Sequence, residues 1–173
     1  MEIRREWEYH RPNGPAWPDP ESNGRLLNVN KESRLQPFHL AIPVDNLTDA
    51  RAFYGDLLGC TEGRSNAHWV DFNFFGHQLV VYLDTRSDRN KTALESPVDG
   101  HGVPVPHFGL VMEMDDWAAF RDRLQAAAVQ FVIEPTIRFK GQVGEQATLF
   151  FRDPAGNNLE IKAFASPDQL FAK

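Results

Sequence analysis

The sequence lacks the features that would indicate a disulfide scaffold, a membrane protein or a nucleic-acid-binding protein. A single cysteine, Cys60, excludes an intrachain disulfide framework and a cysteine-rich zinc site, and it is typical of a reducing compartment. No apolar run approaches the length of a membrane span, and the first residues, MEIRREWEYH, are charged where a signal peptide would be apolar. No run of lysine and arginine is present, and the formal net charge is −6. We therefore expect a cytoplasmic protein whose partner is a small molecule, with no nucleic acid and no membrane.

The chain is nevertheless long and apolar enough to form a core. Of its 173 residues, 42% are hydrophobic and 24% are charged, which is typical of a globular protein. A chain of this length buries roughly 70% of its unfolded surface on folding, so it needs no structural metal to stay folded. A metal in this protein would therefore serve chemistry.

Residues 1–34 differ from the rest of the chain. Pro12, Pro15, Pro18 and Pro20 interrupt every helical or strand period there, so the sequence predicts an N-terminal arm outside the core. Two alternatives stay open for this arm. It is either a flexible leader or, because it carries two tryptophans, a segment that packs across the domain or onto a second subunit.

From residue 35 onward the pattern becomes regular and occurs twice. In the first module, 35–84, FHLAIPV (38–44) alternates as a strand does, and LTDARAFYGDLLG has the apolar spacing of a helix that ends at Gly59. A short strand over Thr61–Arg64 and a hairpin of HWVDFNFF (68–75) and HQLVVYL (77–83) follow. The first module therefore has the order βαβββ.

The second module, 107–165, repeats this order. HFGLVMEM (107–114) is predicted as a strand and is followed by a helix capped by Asp115 or Asp116. Strands at 129–135, 147–152 and 158–164 complete it. Between the modules, 85–106 is polar and rich in glycine and proline, as in a linker or lid, and 166–173 is a C-terminal tail. The sequence thus predicts an α+β fold of two tandem βαβββ modules.

Three polar residues stand out on faces that are otherwise apolar or small. His39 and His107 occupy the same position in the first strand of each module, opposite the bulky residues, and Ala41 or Gly109 two residues later would leave room for a ligand. Glu160 lies on the last strand of the second module. Two histidines and a carboxylate on facing strands form a facial triad, which favours Fe(II), with Mn, Co, Ni or Zn as substitutes.

The residues FHLAIPV-x-x-L-x-x-ARAFYGDLLG, PHFGLV and FFRDPAGNNLEIKAF resemble the vicinal oxygen chelate superfamily, which includes glyoxalases, extradiol dioxygenases, and fosfomycin and bleomycin resistance proteins. In DPAGN, Asp153 and Pro154 begin a tight turn and Gly156 supplies the positive φ. The resemblance implies paired modules whose mixed sheets curve around a metal site held by His39, His107 and Glu160. It also implies substrates bound through neighbouring oxygens, and a homodimer.

The resemblance implies a narrower set of reactions as well. Matching GHQLVVYL to GNNLEIKA places Val80 opposite Glu160, so the fourth protein ligand of glyoxalase I is absent. Three ligands resemble the extradiol dioxygenases and the fosfomycin enzymes, although Phe150 stands where those dioxygenases carry an active-site tyrosine. Our first hypothesis is a metal-dependent, dioxygenase-like oxidoreductase that uses Fe(II). The alternatives are a glyoxalase-like lyase or isomerase, a thiol transferase with the same triad, or a metal-free small-molecule-binding resistance protein.

Other residues are secondary candidates. Tyr82 shares the face of Val80 and is either directed at the metal cavity or part of the core packing, and His101 in the linker is a candidate acid or base. Arg138 and Lys140 lie in a stretch about twelve residues longer than its first-module counterpart, a lid whose cations would bind an anionic substrate. Phe150 is a candidate substrate contact.

Overall fold

The computed structural model describes residues 36–86, 94–98 and 101–172, and of 94–98 and His101 it describes the backbone alone. The predicted arm, 1–34, lies outside these residues, as do both alternatives for its packing. In the part of the chain that is described, no helix combines the length and apolar character needed to span a membrane.

The first module forms a four-stranded mixed sheet with one helix. Its elements are β1 (His39–Val44), α1 (Leu47–Ala50, continued by π-helical turns over Arg51–Leu57), β2 (Thr61–Ser65), β3 (Trp69–Phe74) and β4 (His77–Leu83). The sheet order is β1-β4-β3-β2, in which β1 is parallel to β4 and the other pairs are antiparallel. The helix begins where the side chain of Asn46 accepts the backbone N–H of Thr48, and it ends before Gly59, whose φ is 78°.

The segment predicted as a linker or lid contains a β-hairpin. Strands β5 (Leu94–Val98) and β6 (His101–Val105) pair with each other in an antiparallel two-stranded sheet. Val103 of β6 is buried and packs with Ile133 and Phe150 of the second module. The hairpin therefore lies against the second sheet.

The second module repeats the topology of the first. Its elements are β7 (Phe108–Met112), α2 (Met114–Ala126), β8 (Phe131–Arg138), β9 (Gln146–Arg152) and β10 (Asn158–Phe164), followed by a short 3₁₀ helix (Pro167–Phe171). The sheet order is β7-β10-β9-β8, with β7 parallel to β10. Two four-stranded mixed sheets in the same order confirm the predicted α+β fold of tandem βαβββ modules.

The helix α2 begins earlier than the sequence predicted. Glu113 is its N-cap residue and no side chain caps it, so the predicted cap at Asp115 or Asp116 is wrong. Both aspartates instead lie in the first turn, where a carboxylate interacts favourably with the positive end of the helix dipole. The strand before the helix is correspondingly shorter than predicted, because Glu113 already belongs to the cap.

Both sheets turn their apolar faces into one continuous core. Ile42 and Val81 of the first sheet belong to the same buried cluster as Leu149 and Ile161 of the second. The modules contact each other reciprocally. The hydroxyl of Tyr54 on the first helix donates to Asp153 in the turn of the second module, and Phe75 in the turn of the first module packs on Phe120 of α2. Because the apolar faces are used inside the core, the faces that carry the candidate ligands lie on the other side of each sheet.

Candidate functional site

The site is built on the face of the second sheet that is turned away from the core, which we call the site face. Strand pairing sets its residues side by side, because Glu160 of β10 is the neighbour of Gly109 on β7 and of Phe150 on β9. Two residues further along β10, Lys162 pairs with Val111 and with Thr148. Successive side chains of a strand alternate between faces, so Glu160 and Lys162 project from the same side.

Glu160 is a buried carboxylate, and three side chains contact it. The residue is only 5% exposed. Its Oε1 accepts the hydroxyl of Thr148 at 2.8 Å, and its Oε2 lies 3.0 Å from Nζ of Lys162 and 3.2 Å from Nε2 of His107. A charged group this deeply buried needs compensating partners, and Glu160 has them.

The imidazole of His107 is oriented by the backbone of the hairpin. Its Nδ1 lies 2.7 Å from the carbonyl oxygen of Pro104, which can only accept a hydrogen bond, so Nδ1 carries a proton. In the neutral ring, Nε2 then bears the lone pair, and it faces Glu160 Oε2 at 3.2 Å. Two lone-pair atoms at this distance require a proton or a metal ion between them.

The chemistry of this pair fits a divalent metal. Imidazole and carboxylate are ligands for Fe, Mn and Zn, and a ligating histidine usually donates its other N–H to a carbonyl or carboxylate, as His107 does. The hydroxyl of Thr148 holds the carboxylate of Glu160 in the same way. His107 and Glu160 are therefore the residues of one chain that could hold the ion.

His39 lies apart from this pair. It is exposed at the start of β1, and its Nδ1 is 2.8 Å from the amide oxygen of Gln78 on β4. Among the residues that the structure describes, no three His, Cys, Asp or Glu side chains come close enough together to hold a metal. The structure thus brings together two members of the predicted triad within one chain, and it leaves the third on the other sheet.

An open depression lies beside the Gln78 partner of His39. Its volume is about 450 Å³, and its lining includes Asp71, Asn73 and His77 of β3 and β4.

Val80, which the sequence matched to Glu160, is 3% exposed and carries no donor atom. The first sheet therefore offers no carboxylate at the position that corresponds to Glu160.

Phe150 is an apolar wall of the site. It is 1% exposed, and its ring meets the imidazole of His107 edge-on, with 5.2 Å between the ring centroids. Val103 of the hairpin and Ile133 of β8 pack against it. The hairpin and Phe150 together limit the access of water to the His107–Glu160 pair from this side.

The two cations predicted in the lid have different surroundings. Arg138 is the last residue of β8 and is 4% exposed. It pairs with Gln146 of β9 and lies on the same face of the sheet as Thr148, with β9 between it and β10. Its guanidinium lies 5.2 Å from the ring centroid of Phe139. Lys140 is exposed in the turn after β8. Because β8 continues to Arg138, only Lys140 of the two cations lies in the turn, and the role of this stretch as a lid stays a prediction.

The two secondary catalytic candidates lie on different elements. Tyr82 is 47% exposed and projects from the same face of the first sheet as Val80 and Gln78. It is therefore not part of the core packing. His101 begins β6, and its side chain lies outside the described part of the structure.

One interpretation of the sequence is corrected by the structure. Gly109 was expected to leave room for a ligand beside the histidine. Instead, the carbonyl oxygen of Glu160 occupies the place where a Cβ on residue 109 would stand. The glycine therefore permits the close approach of β7 and β10.

Sequence reasoning missed four supporting residues: Thr148 and Lys162 at Glu160, Pro104 at His107, and Gln78 at His39. Two of them carried a signal. Lys162 follows Glu160 by two residues on a predicted strand, and Gln78 lies two residues before Val80 on another, so each shares a face with a residue already singled out. The other two depend on which strands pair and on how the hairpin lies against the sheet.

Comparison with known proteins agrees with this architecture. The family model of the Glyoxalase/Bleomycin resistance protein/Dioxygenase superfamily matches residues 36–161. A glyoxalase/bleomycin resistance protein/dioxygenase from Alicyclobacillus acidocaldarius is 29% identical with a TM-score of 0.66, and the match covers 82% of this chain and all of that one. No curated protein matches.

More distant solved structures share the fold. A lactoylglutathione lyase from Agrobacterium tumefaciens is 20% identical, with a TM-score of 0.53 and coverage of 83% of this chain and 100% of that one. A fosfomycin resistance protein from Listeria monocytogenes is 16% identical, with a TM-score of 0.52 and coverage of 79% and 97%. The matched family model spans most of the chain, and the protein therefore belongs to the glyoxalase/bleomycin resistance protein/dioxygenase superfamily.

Proposed function

We propose that the protein is a metal-dependent enzyme that binds a small substrate through two adjacent oxygens. In this proposal His107 and Glu160 of one chain hold the metal together with His39 from a second copy. The observation that carries the proposal is the approach of His107 Nε2 to Glu160 Oε2 at 3.2 Å, with the tautomer of the histidine set by the carbonyl of Pro104. This arrangement supports the proposal, because a metal-binding histidine usually donates its other N–H to a carbonyl or carboxylate.

The second copy is proposed because the third ligand is not supplied within the chain. His39 is exposed on the first sheet and takes part in no metal-binding group among the described residues. Large apolar side chains are exposed on the same faces as the ligands, with Tyr82 47% and Val111 48% exposed. A two-fold axis that set the first sheet of one copy against the second sheet of the other would cover both side chains and form two equal sites.

The favoured reaction class is oxygenation, with Fe(II) as the expected metal and Mn, Co, Ni or Zn as substitutes. When bound at His107 and Glu160, such a metal would supply Lewis-acid chemistry for a substrate that carries two adjacent oxygens and for its reaction with dioxygen. The protein's own groups hold and shield that metal. Thr148 orients Glu160, the carbonyl of Pro104 orients His107, and Phe150 with the hairpin limits the access of water.

Mixing two inactive variants tests the shared site. His39→Ala and Glu160→Ala each remove one ligand, and neither homodimer is expected to bind Mn(II). In a random mixture obtained by co-expression, about half the dimers are mixed and each has one intact site, so Mn(II) binding returns to about one quarter of the wild-type level. Co-expression of His107→Ala with Glu160→Ala is the matched control and restores nothing, because both ligands come from the same chain. Equal recovery in both mixtures, or none in either, would contradict the shared site.

The reaction class is tested separately. Untagged protein is analysed for bound metal, and oxygen uptake is then followed with a panel of catechols after loading with Fe(II). We expect about one Fe or Mn per chain, lost in His39→Ala, and oxygen consumption that depends on the metal. Absence of any bound metal under all loading conditions would refute the proposal. Metal binding without oxygen uptake would refute the oxygenation and favour a lyase, an isomerase or a thiol transferase.

A further inference from the structure

We propose that Lys162 binds an acidic group of the substrate, so that the substrate is a small anion with a carboxylate or phosphonate beside its metal-binding oxygens. This inference rests on the proposed function and names the substrate class of the same site. It assigns Lys162 a role in ligand specificity.

The position of Lys162 carries the proposal. It follows Glu160 by two residues on β10, so the two Cα atoms are roughly 6.6 Å apart and both side chains project from the site face. The Lys162 ammonium lies 3.0 Å from Glu160 Oε2. The side chain of Lys162 is 27% exposed and that of Glu160 is 6% exposed. Lys162 therefore reaches from the open part of the face to the buried carboxylate.

Metal binding would change the partner of this ammonium. The oxygen that contacts Lys162, Oε2, is the one that faces His107 Nε2, so an ion held between His107 and Glu160 would share that oxygen. Two like charges on one oxygen repel each other. The positions beside Lys162 on the neighbouring strands are Thr148 and Val111, and neither carries a negative charge. The ammonium displaced from Glu160 would thus face the substrate.

The sign of the charge on the site face supports an anionic ligand. The chain as a whole has a net charge of −6. On the site face, however, the ammonium of Lys162 lies 3.0 Å from the buried carboxylate of Glu160 and can offset its charge. A divalent metal adds further positive charge at the same place. A neutral substrate would leave this charge uncompensated in a partly buried site, whereas an acidic group adjacent to the chelating oxygens would compensate it.

The internal repeat shows that the fold does not require lysine at this position. Matching GHQLVVYL to GNNLEIKA places Tyr82 of β4 at the position of Lys162 in β10. The two strands have equivalent places in their sheets, because β4 pairs in parallel with β1 and β10 pairs in parallel with β7. The lysine is thus specific to the sheet that carries Glu160, as expected for a residue that acts on a ligand of this site.

The experiment compares probes that differ only in charge. The whole protein is loaded with Mn(II), and isothermal titration calorimetry measures the binding of 2,3-dihydroxybenzoate, 2,3-dihydroxyphenylphosphonate and the neutral 2,3-dihydroxybenzamide. We expect at least one of the two anions to bind about tenfold or more tightly than the amide, because a charge-assisted contact contributes at least that factor. The stronger of the two identifies the carboxylate or the phosphonate as the preferred group.

Variants locate this preference. In Lys162→Met the preference for the anion should fall below about twofold while the affinity for the amide is retained, and Lys162→Arg should keep most of the preference. The control is Arg121→Met, which removes a positive charge from α2 on the core side of the sheet, and it should leave the preference unchanged. Full preference in Lys162→Met, or an equal loss in Arg121→Met, would overturn the proposal.

Bound Mn(II) is measured separately by elemental analysis, so that the two proposals can fail independently. Retention of Mn(II) in Lys162→Met together with loss of the anion preference supports the inference. Loss of Mn(II) in that variant overturns it, because Lys162 would then act by holding Glu160. If the wild-type protein binds no Mn(II), the proposed function fails, and an anion preference in the metal-free protein that Lys162→Met abolishes would still support the assignment of Lys162.

Discussion

The hydrogen bond between Tyr54 and Asp153 links the two modules, and its contribution to the free energy of unfolding can be measured. The Tyr54 hydroxyl donates to Asp153 Oδ2 at 2.9 Å, and the two residues are 0% and 4% exposed. Burial and the nearby negative charge of Asp153 raise the pKa of the Tyr54 phenol well above its ordinary value, so it is protonated and can donate at neutral pH. Tyr54→Phe removes this donor and keeps the ring, which contacts the ring of Phe53 edge-on and the tilted ring of Phe72.

The expected loss of stability depends on the hydrogen bonds that Asp153 keeps in the Tyr54→Phe variant. Its Oδ2 also accepts the side-chain amide of Asn157 at 2.7 Å, and its Oδ1 accepts the backbone N–H of Asn157 at 2.8 Å. A hydrogen bond to a charged group contributes about 1.5–3 kcal/mol, and the two remaining donors limit the loss to the lower part of that range. We therefore expect Tyr54→Phe to lower the free energy of unfolding by about 1.5–2 kcal/mol.

Urea unfolding followed by circular dichroism measures this difference. For a chain of this size the loss corresponds to a fall in Tm of roughly 3–8 °C. Tyr82→Phe is the matched control, because it keeps the ring that a second copy would cover and removes only the hydroxyl of a tyrosine that is 47% exposed within one chain. The free energy of unfolding of this variant should differ from that of the wild type by less than about 0.5 kcal/mol. A Tyr54→Phe variant within about 0.5 kcal/mol of the wild type would refute the assignment of this hydrogen bond as a stabilising link between the modules.

Three further predictions follow from single residues. Burial raises the pKa of the Cys60 thiol from 9.0 to about 11. The protonated thiol therefore makes its full contribution to the free energy of unfolding below pH 9, and this contribution falls by about 2–3 kcal/mol up to pH 11. Urea unfolding across that range should show a smaller decline in Cys60→Ala. Gly109→Ala should weaken Mn(II) binding at least about tenfold in equilibrium dialysis, because its Cβ would displace the Glu160 backbone; unchanged affinity would contradict this. Asn46→Ala should lower the free energy of unfolding, measured with urea, by about 1 kcal/mol, because the backbone N–H of Thr48 loses its capping acceptor. Asn46→Asp keeps an acceptor and should retain the stability. Equal stability of the two variants would exclude the cap.

Much of the fold was predictable because apolar residues that enter the core alternate with residues on the opposite face of the strands. In β10, Leu159, Ile161 and Ala163 enter the core, and Glu160 and Lys162 between them project from the other face. The same alternation in β1 puts Ile42 and Val44 into the core and leaves His39 exposed. Strand periodicity together with the repeat of the two modules thus identified the candidate ligands.

The hairpin between the modules was not predictable for a physical reason. Proline and glycine in its strands weaken the local strand signal. Among the described strands, its two strands pair with each other alone. What positions it is a tertiary contact, the packing of Val103 on Phe150 and Ile133. The orientation of His107 depends on the same hairpin through Pro104. The sequence could therefore indicate the candidate ligand but not the group that orients it.

Comparison of the two modules separates the residues that the fold needs from those that make the site. Some residues that match between the modules serve the common architecture: Phe53 matches Phe120 in the core, and Gly76 matches Gly156 in the turn. The matched histidines, His39 and His107, are instead both candidate ligands. Where the modules differ, the second sheet gains chemistry that the first lacks. The differing pairs, given as first module and second module, are Gln78 and Asn158, Val80 and Glu160, and Tyr82 and Lys162. A repeated module that diverged only for stability would be expected to exchange apolar residues for one another. Here Glu160 and Lys162, two residues apart on one face of β10, stand where β4 has Val80 and Tyr82. The difference between the two sheets therefore lies at the place where we propose that a metal and an anionic substrate bind.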